Sequence, residues 1–274
     1  PGKTVTRAEG TFENEGLRAK VVDLPGTYSL QAGSTDEEVA RDFLLFGEPD
    51  VTVVVVDATR LERNLNLTLQ VLEITDRVVV CLNLMDEAKR HGIAIDAAKL
   101  EAELGVPVVP AAIRRGEGLD ELRLAVHRVA TGAVQPTPHR ITSHPPEVER
   151  ALETLVPVVE SSYPDLPNPR WVALRLLNAD ERVEQAVRTG EIAGWGSPDA
   201  EAMGDEDRGG VAMLSPEAER VLEATGRLRW TLPADFHDRL VETIYAEAQA
   251  IAGRSMATGL RKARFDLDRT LDRL

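Results

Sequence analysis

The chain has 274 residues, 43% of them apolar, and a formal net charge of −14. That length suggests one large or two ordinary domains with enough apolar material for a core, and the acidic balance argues against general nucleic-acid binding. The single cysteine, Cys81, excludes a disulfide framework and fits a reducing compartment. No run of 18 apolar residues offers a membrane span, no signal peptide is expected, and the five histidines lack close ligand spacing.

In chain order, strands are expected at 4–13 and 17–23, then a helix at 35–46, a strand at 51–57, a helix at 61–75 and a strand at 77–83. Helices at 84–91 and 96–104, a strand at 106–110 and a helix at 117–131 complete the first part. Such alternation implies an α/β fold with a mostly parallel sheet and helices on its faces. The β-branched run Val51 to Val56 is expected to be buried on both faces. Residues 132–146 carry Pro136, Pro138, Pro145 and Pro146 and are expected to be a linker. Beyond it the pattern turns helical, at 146–162, 168–177, 179–189, 215–225 and 233–252, with a mobile loop expected from Gly194 to Gly210. The domain organisation expected is therefore 1–131, a linker 132–146, and an all-α domain 147–274. Arg254, Arg261, Lys262, Arg264, Arg269 and Arg273 make the end of an acidic chain basic. A solvated amphipathic helix accounts for them; a juxtamembrane segment, in which basic residues keep one side in the cytoplasm, is the alternative.

Two polar motifs hang on the ends of expected strands. Asp23-Leu24-Pro25-Gly26 follows Val21-Val22, and Asn83-Leu84-Met85-Asp86 follows Val78 to Leu82, 60 residues later. Order and separation match the DxxG and NxxD loops of a GTPase. A carboxylate at a strand's carboxyl end can hold Mg²⁺ through water, and a glycine after it lets a backbone N–H approach a phosphate oxygen. The Asp86 carboxylate can accept from the two adjacent N–H donors of guanine, which adenine lacks. Taken singly, the motifs also read as a turn and a helix N-cap.

Gly2-Lys3-Thr4 looks like the tail of a Walker A motif. A Walker A opens a helix, whereas Val5 to Phe12 is β-branched, broken by Gly10, and reads as strand and turn. Thr4 also stands only 19 residues before Asp23, too few for a helix, a switch loop and a strand. Thr4, with Gly2 beside it, is better taken as a switch threonine meeting Mg²⁺ and the γ-phosphate. The phosphate-cradling P-loop is expected upstream of both motifs, and the chain begins too late to contain it.

Pro1 to Gly10, Val22 to Leu30 and Asp57-Ala-Thr-Arg-Leu-Glu-Arg-Asn-Leu-Asn-Leu-Thr-Leu-Gln70 resemble the cytoplasmic G domain of the prokaryotic ferrous-iron transport protein B family. So do Gly105 to Pro110 and Arg115 to Leu119. The resemblance is specific over 1–130 and weaker over the helical remainder. It implies a Ras-like P-loop GTPase fold, N-terminally truncated here, followed by a helical domain and then a polytopic membrane region. It further implies GTP and GDP binding, slow hydrolysis and control of Fe²⁺ uptake at the cytoplasmic face of a bacterial plasma membrane. The implied site is Gly2, Thr4, Asp23, Leu24, Pro25, Gly26, Asn83, Leu84, Met85, Asp86, Ala111, Ala112 and Ile113. In it Thr4 and Gly26 serve catalysis and Thr4 and Asp23 serve Mg²⁺. Implied partners are the membrane domain of the same protein, which carries Fe²⁺, and small cytosolic regulators, with no nucleic acid.

Departures from the family pattern shape the expectations. The first strand, P-loop and first helix are absent, and with them the residues expected to hold an activating K⁺. Residues 1–274 alone are therefore expected to bind GTP very weakly. Pro110-Ala111-Ala112-Ile113 stands where the family has a Ser-Ala pair; Ala112 is expected to offer its backbone N–H without a hydroxyl. Thr27 follows DxxG where Ras-like enzymes place a water-orienting Gln, so hydrolysis should be slow. The segment from Thr27 to Ser34 is expected to reorder with nucleotide and to pass movement through the 35–46 helix to the helical domain. Two other readings stay open: a G-domain-like module that acts by protein contact without turnover, and a ribosome- or tRNA-associated GTPase, which fits the acidic charge and helical extension poorly.

Overall fold

The computed structural model describes residues 8–14, 17–30, 34–47, 49–142, 144–166, 168–194 and 214–256. Gly2 and Thr4 lie outside them, as do residues 195–210 of the expected mobile loop and the basic residues from Arg261 to Arg273.

Strands β1 (Ala8–Asn14) and β2 (Leu17–Asp23) pair antiparallel, with Ala8 opposite Asp23. Helix α1 (Thr35–Phe46) follows. Strands β3 (Thr52–Asp57), β4 (Val78–Asn83) and β5 (Val108–Pro110) form a parallel sheet in the order β3-β4-β5. The crossovers are α2 (Leu61–Ile74) between β3 and β4, and α3 (Met85–Arg90) and α4 (Ala97–Leu104) between β4 and β5. Helix α5 (Leu119–Ala130) comes after the last strand. The described sheet is thus parallel from β3 onward, and the hairpin β1–β2 stands as a separate two-stranded sheet.

The reasons are local. Val78 to Leu82 are at most 1% exposed, as a central parallel strand covered on both faces requires. On α2, Leu61, Leu65, Leu69 and Leu72 recur at helical spacing and are at most 3% exposed, each worth about 1.5–3 kcal/mol of burial. Asp96 caps α4 by accepting from Lys99 N–H. Strand β3 departs from expectation. Val54 and Val56 are buried, but Val53 and Val55 are 39% and 59% exposed. The cause is coverage: successive side chains of a strand point to opposite faces, and the face carrying Val53 and Val55 is left partly uncovered by the described residues. Helix α5 covers the side carrying Val79 and Val109 through Leu122, Ala125, Val126 and Val129, with Val51 at its margin.

The chain divides into two compact units. The first comprises residues 1–41, 49–140 and 244–274, the second 42–48 and 141–243. Part of the stretch expected as a linker is structured with the first unit: Thr137 N–H donates to Gly105 O and His139 N–H to Leu104 O, and Arg140 pairs with Asp76.

The second unit is helical: α6 (Pro146–Ser162), α7 (Pro169–Leu177), α8 (Glu181–Thr189) and α9 (Pro216–Arg229). Helix α6 packs on α7 and α9, and Leu152, Leu155, Val159, Leu176 and Val221 of these helices are buried. Helix α10 (Phe236–Ser255) begins in the second unit and from Ile244 belongs to the first. There Arg254 pairs with Glu103, and Ser255 O accepts from Asp96 N–H. No helix of the described residues is long and apolar enough to cross a membrane.

Candidate functional site

The parallel register aligns the carboxyl ends of three strands. Asp57 lies beside Asn83, and Leu82 beside Pro110. Ligands of open α/β sheets bind beyond such ends, and the loops emerging here carry the NxxD motif and Ala111 to Ile113.

Those two loops are bound together. Ala111 N–H donates to Leu82 O at 2.8 Å, and Met85 N–H to Ala111 O at 3.1 Å. The Asn83 Oδ1 accepts from Ile113 N–H at 3.2 Å. Leu84 takes a left-handed conformation, φ 62° and ψ 30°, which costs a non-glycine residue about 1–2 kcal/mol. That residue ends β4 and lets α3 start at once, with Asp86 in its first turn. The Asp86 side chain is 23% exposed, with Arg90 at 3.8 Å and Arg115 at 3.9 Å. Exposed pairs of this length are worth about 0–1 kcal/mol, so a better-placed pair of N–H donors can displace them.

The following loop differs from expectation at one atom. Ala112 is 3% exposed, and its N–H donates to Glu117 O at 3.0 Å while Glu117 N–H returns to Ala112 O. The Ala112 amide is committed to that bridge and is not on offer. The bridge closes because Gly116 and Gly118 accept φ of 74° and 84°. Arg115, whose sequence gave no site signal beyond its place in the loop, stands between Asp86 and Glu117, 3.1 Å from the latter.

The Asp23-Leu24-Pro25-Gly26 loop is held differently. Asp23 ends β2 and is exposed. A Cβ built on Gly26 would have nothing within 4 Å, so its backbone faces open space. The Thr27 hydroxyl donates to Ser29 O at 2.6 Å and accepts from Ser29 N–H; its oxygen is engaged in a local turn. Further on, Leu30 N–H and Ser29 Oγ donate to Gln70 Oε1 of α2 at 2.8 and 3.3 Å. The Gln70 side chain, with Asn66 behind it, has no counterpart among the sequence-based site residues. Its signal was present: a polar pair four residues apart inside the leucine stripe of α2.

The donor set suits a guanine nucleotide in part. Asp86 supplies a partly exposed acceptor on a braced loop, and Asp23 a carboxylate at a strand end. Among the described residues no group of three or more His, Cys, Asp or Glu could enclose a metal ion by itself. Asp23 therefore fits Mg²⁺ only as one contributor beside water and phosphate oxygens.

A family model described as "Ferrous iron transport protein B" matches residues 1–126, and one described as "FeoB cytosolic helical domain" matches 144–257. The Fe(2+) transporter FeoB of Escherichia coli is 38% identical over 183 residues, 65% of this chain and 23% of that protein. That of Salmonella typhimurium is 38% identical over 184 residues. The match therefore spans about a quarter of the length of these curated relatives. Among solved structures, the cytosolic domain of L. pneumophila FeoB is similar with a TM-score of 0.70 and 25% identity, covering 94% of this chain and 88% of that one. The cytosolic domain of T. maritima FeoB in a GDP form gives a TM-score of 0.64 and 29% identity, covering 94% and 87%. Its GMPPNP form gives 0.65 and 28%, with the same coverage.

Proposed function

Since the chain belongs to the ferrous iron transport protein B family, we propose that it is a guanine-nucleotide-binding region that regulates a ferrous-iron transporter at the cytoplasmic face of a bacterial membrane. The observation that supports this best is the braced pair of loops, in which Asn83 Oδ1 fixes Ile113 N–H and Asp86 projects beside it. GDP and GMPPNP forms of the T. maritima relative point to the same ligand class.

In this reading Asp86 accepts the N1 and N2 hydrogens of guanine in place of its contacts with Arg90 and Arg115. Asn83 braces the loop rather than reading the base. Asp23 orients water on Mg²⁺, and the open backbone at Gly26 lets an N–H approach the γ-phosphate. Thr4 is proposed for the same phosphate and the metal. Bound Mg²⁺ supplies charge neutralisation across the phosphate oxygens. The Thr27 hydroxyl, standing where Ras-like enzymes place a water-orienting glutamine, is engaged with Ser29, which supports slow hydrolysis. The second unit is proposed to relay nucleotide state to a membrane domain carrying Fe²⁺, with small cytosolic regulators as further partners.

Calorimetric titration of the full encoded protein with GDP and with ADP tests this. GDP is expected to bind about 5- to 150-fold more tightly, the discrimination available from one bidentate base contact worth about 1–3 kcal/mol. Equal affinity for the two, or no binding of either, would overturn the proposal.

A further inference from the structure

We infer that Gln70 is a positioning residue that fixes the far end of the segment following Gly26, holding Leu30 on α2 so that any nucleotide-driven movement is confined to residues 24–29. The confinement rests on taking Asp23 to Gly26 as the phosphate-sensing loop; the anchor itself does not.

The contact is built for permanence. Leu30 is 4% exposed and Gln70 8%. The Leu30 N–H meets Gln70 Oε1 at 2.8 Å, a short and buried bond. The amide cannot turn over freely, because Gln70 Nε2 donates to Asn66 Oδ1 at 2.7 Å and Asn66 is 3% exposed. Reversing it would set N–H against N–H at Leu30 and oxygen against oxygen at Asn66. Both residues ride on a helix whose Leu65, Leu69 and Leu72 are fully buried. Opening the contact would strand a buried donor and a buried acceptor together.

Ser29 shares the Gln70 acceptor through its hydroxyl at 3.3 Å, and the residues further back are held by weaker means. Tyr28 is 58% exposed, with the Arg63 guanidinium 3.8 Å from its ring centroid, a surface contact that water can replace. Gly26 has no atoms crowding it. Freedom therefore falls off along the segment, and Leu30 is where it ends. A ligand shifts only those states that it binds differently, and Leu30 has a second state only if the amide pair is broken.

The test is residue-resolved amide hydrogen exchange by NMR on wild type, Gln70→Met and Gln70→Glu. Gln70→Met keeps the length and removes the acceptor. Gln70→Glu keeps an acceptor for Leu30, and Asn66 can turn its amide to donate to the other oxygen. The Leu30 amide is expected to exchange at least tenfold faster in Gln70→Met and to stay slow in Gln70→Glu, with the amides of Leu65 and Leu69 unchanged in both. An unchanged Leu30 rate in a folded Gln70→Met protein overturns the anchor. Should Gln70→Met fail to fold, wild type decides: a Leu30 amide exchanging as fast as that of Gly26 overturns it equally. In the full encoded protein with GDP and then a non-hydrolysable GTP analogue, the difference that begins at Gly26 should stop before Leu30 along this segment, so the relay proposed for the second unit must start from another part of the nucleotide site. A difference that crosses Leu30 overturns the confinement. No difference anywhere would count against the proposed function, while Leu30 exchange in the variants would still decide the anchor.

Discussion

Asn83 and Ile113 are 30 residues apart in the chain, yet the Asn83 side-chain oxygen accepts the Ile113 backbone N–H at 3.2 Å. Through that bond the loops after β4 and β5 behave as one wall. The side chain that sequence motifs associate with reading a base is here the brace of the neighbouring loop, and Asp86 is the residue proposed to face the ligand.

Asn83→Ala should leave Ile113 N–H without its partner and destabilise the first unit by about 1–3 kcal/mol. Chemical denaturation measures this, and GDP affinity should fall with it. Asn83→Asp, which keeps an acceptor in place, should retain most of the stability. Equal stability of Asn83→Ala and wild type would show that the bond braces nothing.

Asp86→Asn should move preference from guanine toward xanthine nucleotides, because an amide offers a donor where guanine presents one too. The loss for GDP should be about 1–3 kcal/mol, by analogy with bidentate base contacts. Titration calorimetry on the full encoded protein reads it, and an unchanged GDP affinity would contradict the role given to Asp86.

Gly105 and Gly116 separate two reasons for a glycine. Both have positive φ, 69° and 74°. A Cβ on Gly105 would lie 1.9 Å from Thr137 O, whereas one on Gly116 meets nothing within 4 Å. Gly116→Ala should therefore cost about 1–2 kcal/mol for its backbone alone. Gly105→Ala should cost clearly more, because it also drives away the 137–139 strap that bonds to Leu104 and Gly105. Thermal unfolding of the two variants should rank them in that order.

In the second unit, Asp180 carries two duties. One oxygen accepts from Arg175 Nε and Nη2 at 2.9 and 2.5 Å, and the other from the N–H groups of Arg182 and Val183 at 3.2 Å, capping α8. Asp180→Ala leaves the Arg175 guanidinium, whose side chain is 10% exposed, beside an empty space. The expected loss is about 3–5 kcal/mol. Asp180→Asn keeps the cap and should lose less. A calorimetric melt distinguishes them, and a mild effect of Asp180→Ala would mean that water reaches Arg175.

Much of this was legible in the residues. The strand at 17–23 and the helices at 35–46 and 146–162 stand where their patterns put them, because β-branched runs, apolar spacing and a proline at the first turn act over a few residues. The motif at 83–86 also sits at a strand end as read, since a polar cluster closing an apolar run is itself the local signal that a buried strand ends. Three things were decided only by the fold. The Ala112 amide is taken by Glu117, which depends on a turn closing through Gly116 and Gly118. Val53 and Val55 are exposed although their run reads as doubly buried, because burial depends on which strands and helices come to lie alongside. Gln70 meets Leu30 across 40 residues, and α2 must first pack on its sheet before the two can touch. Sequence fixes what each residue prefers within one or two turns of chain. Which donor meets which acceptor across tens of residues is settled by packing, because a buried polar group bonds to whatever partner the packed elements bring within reach.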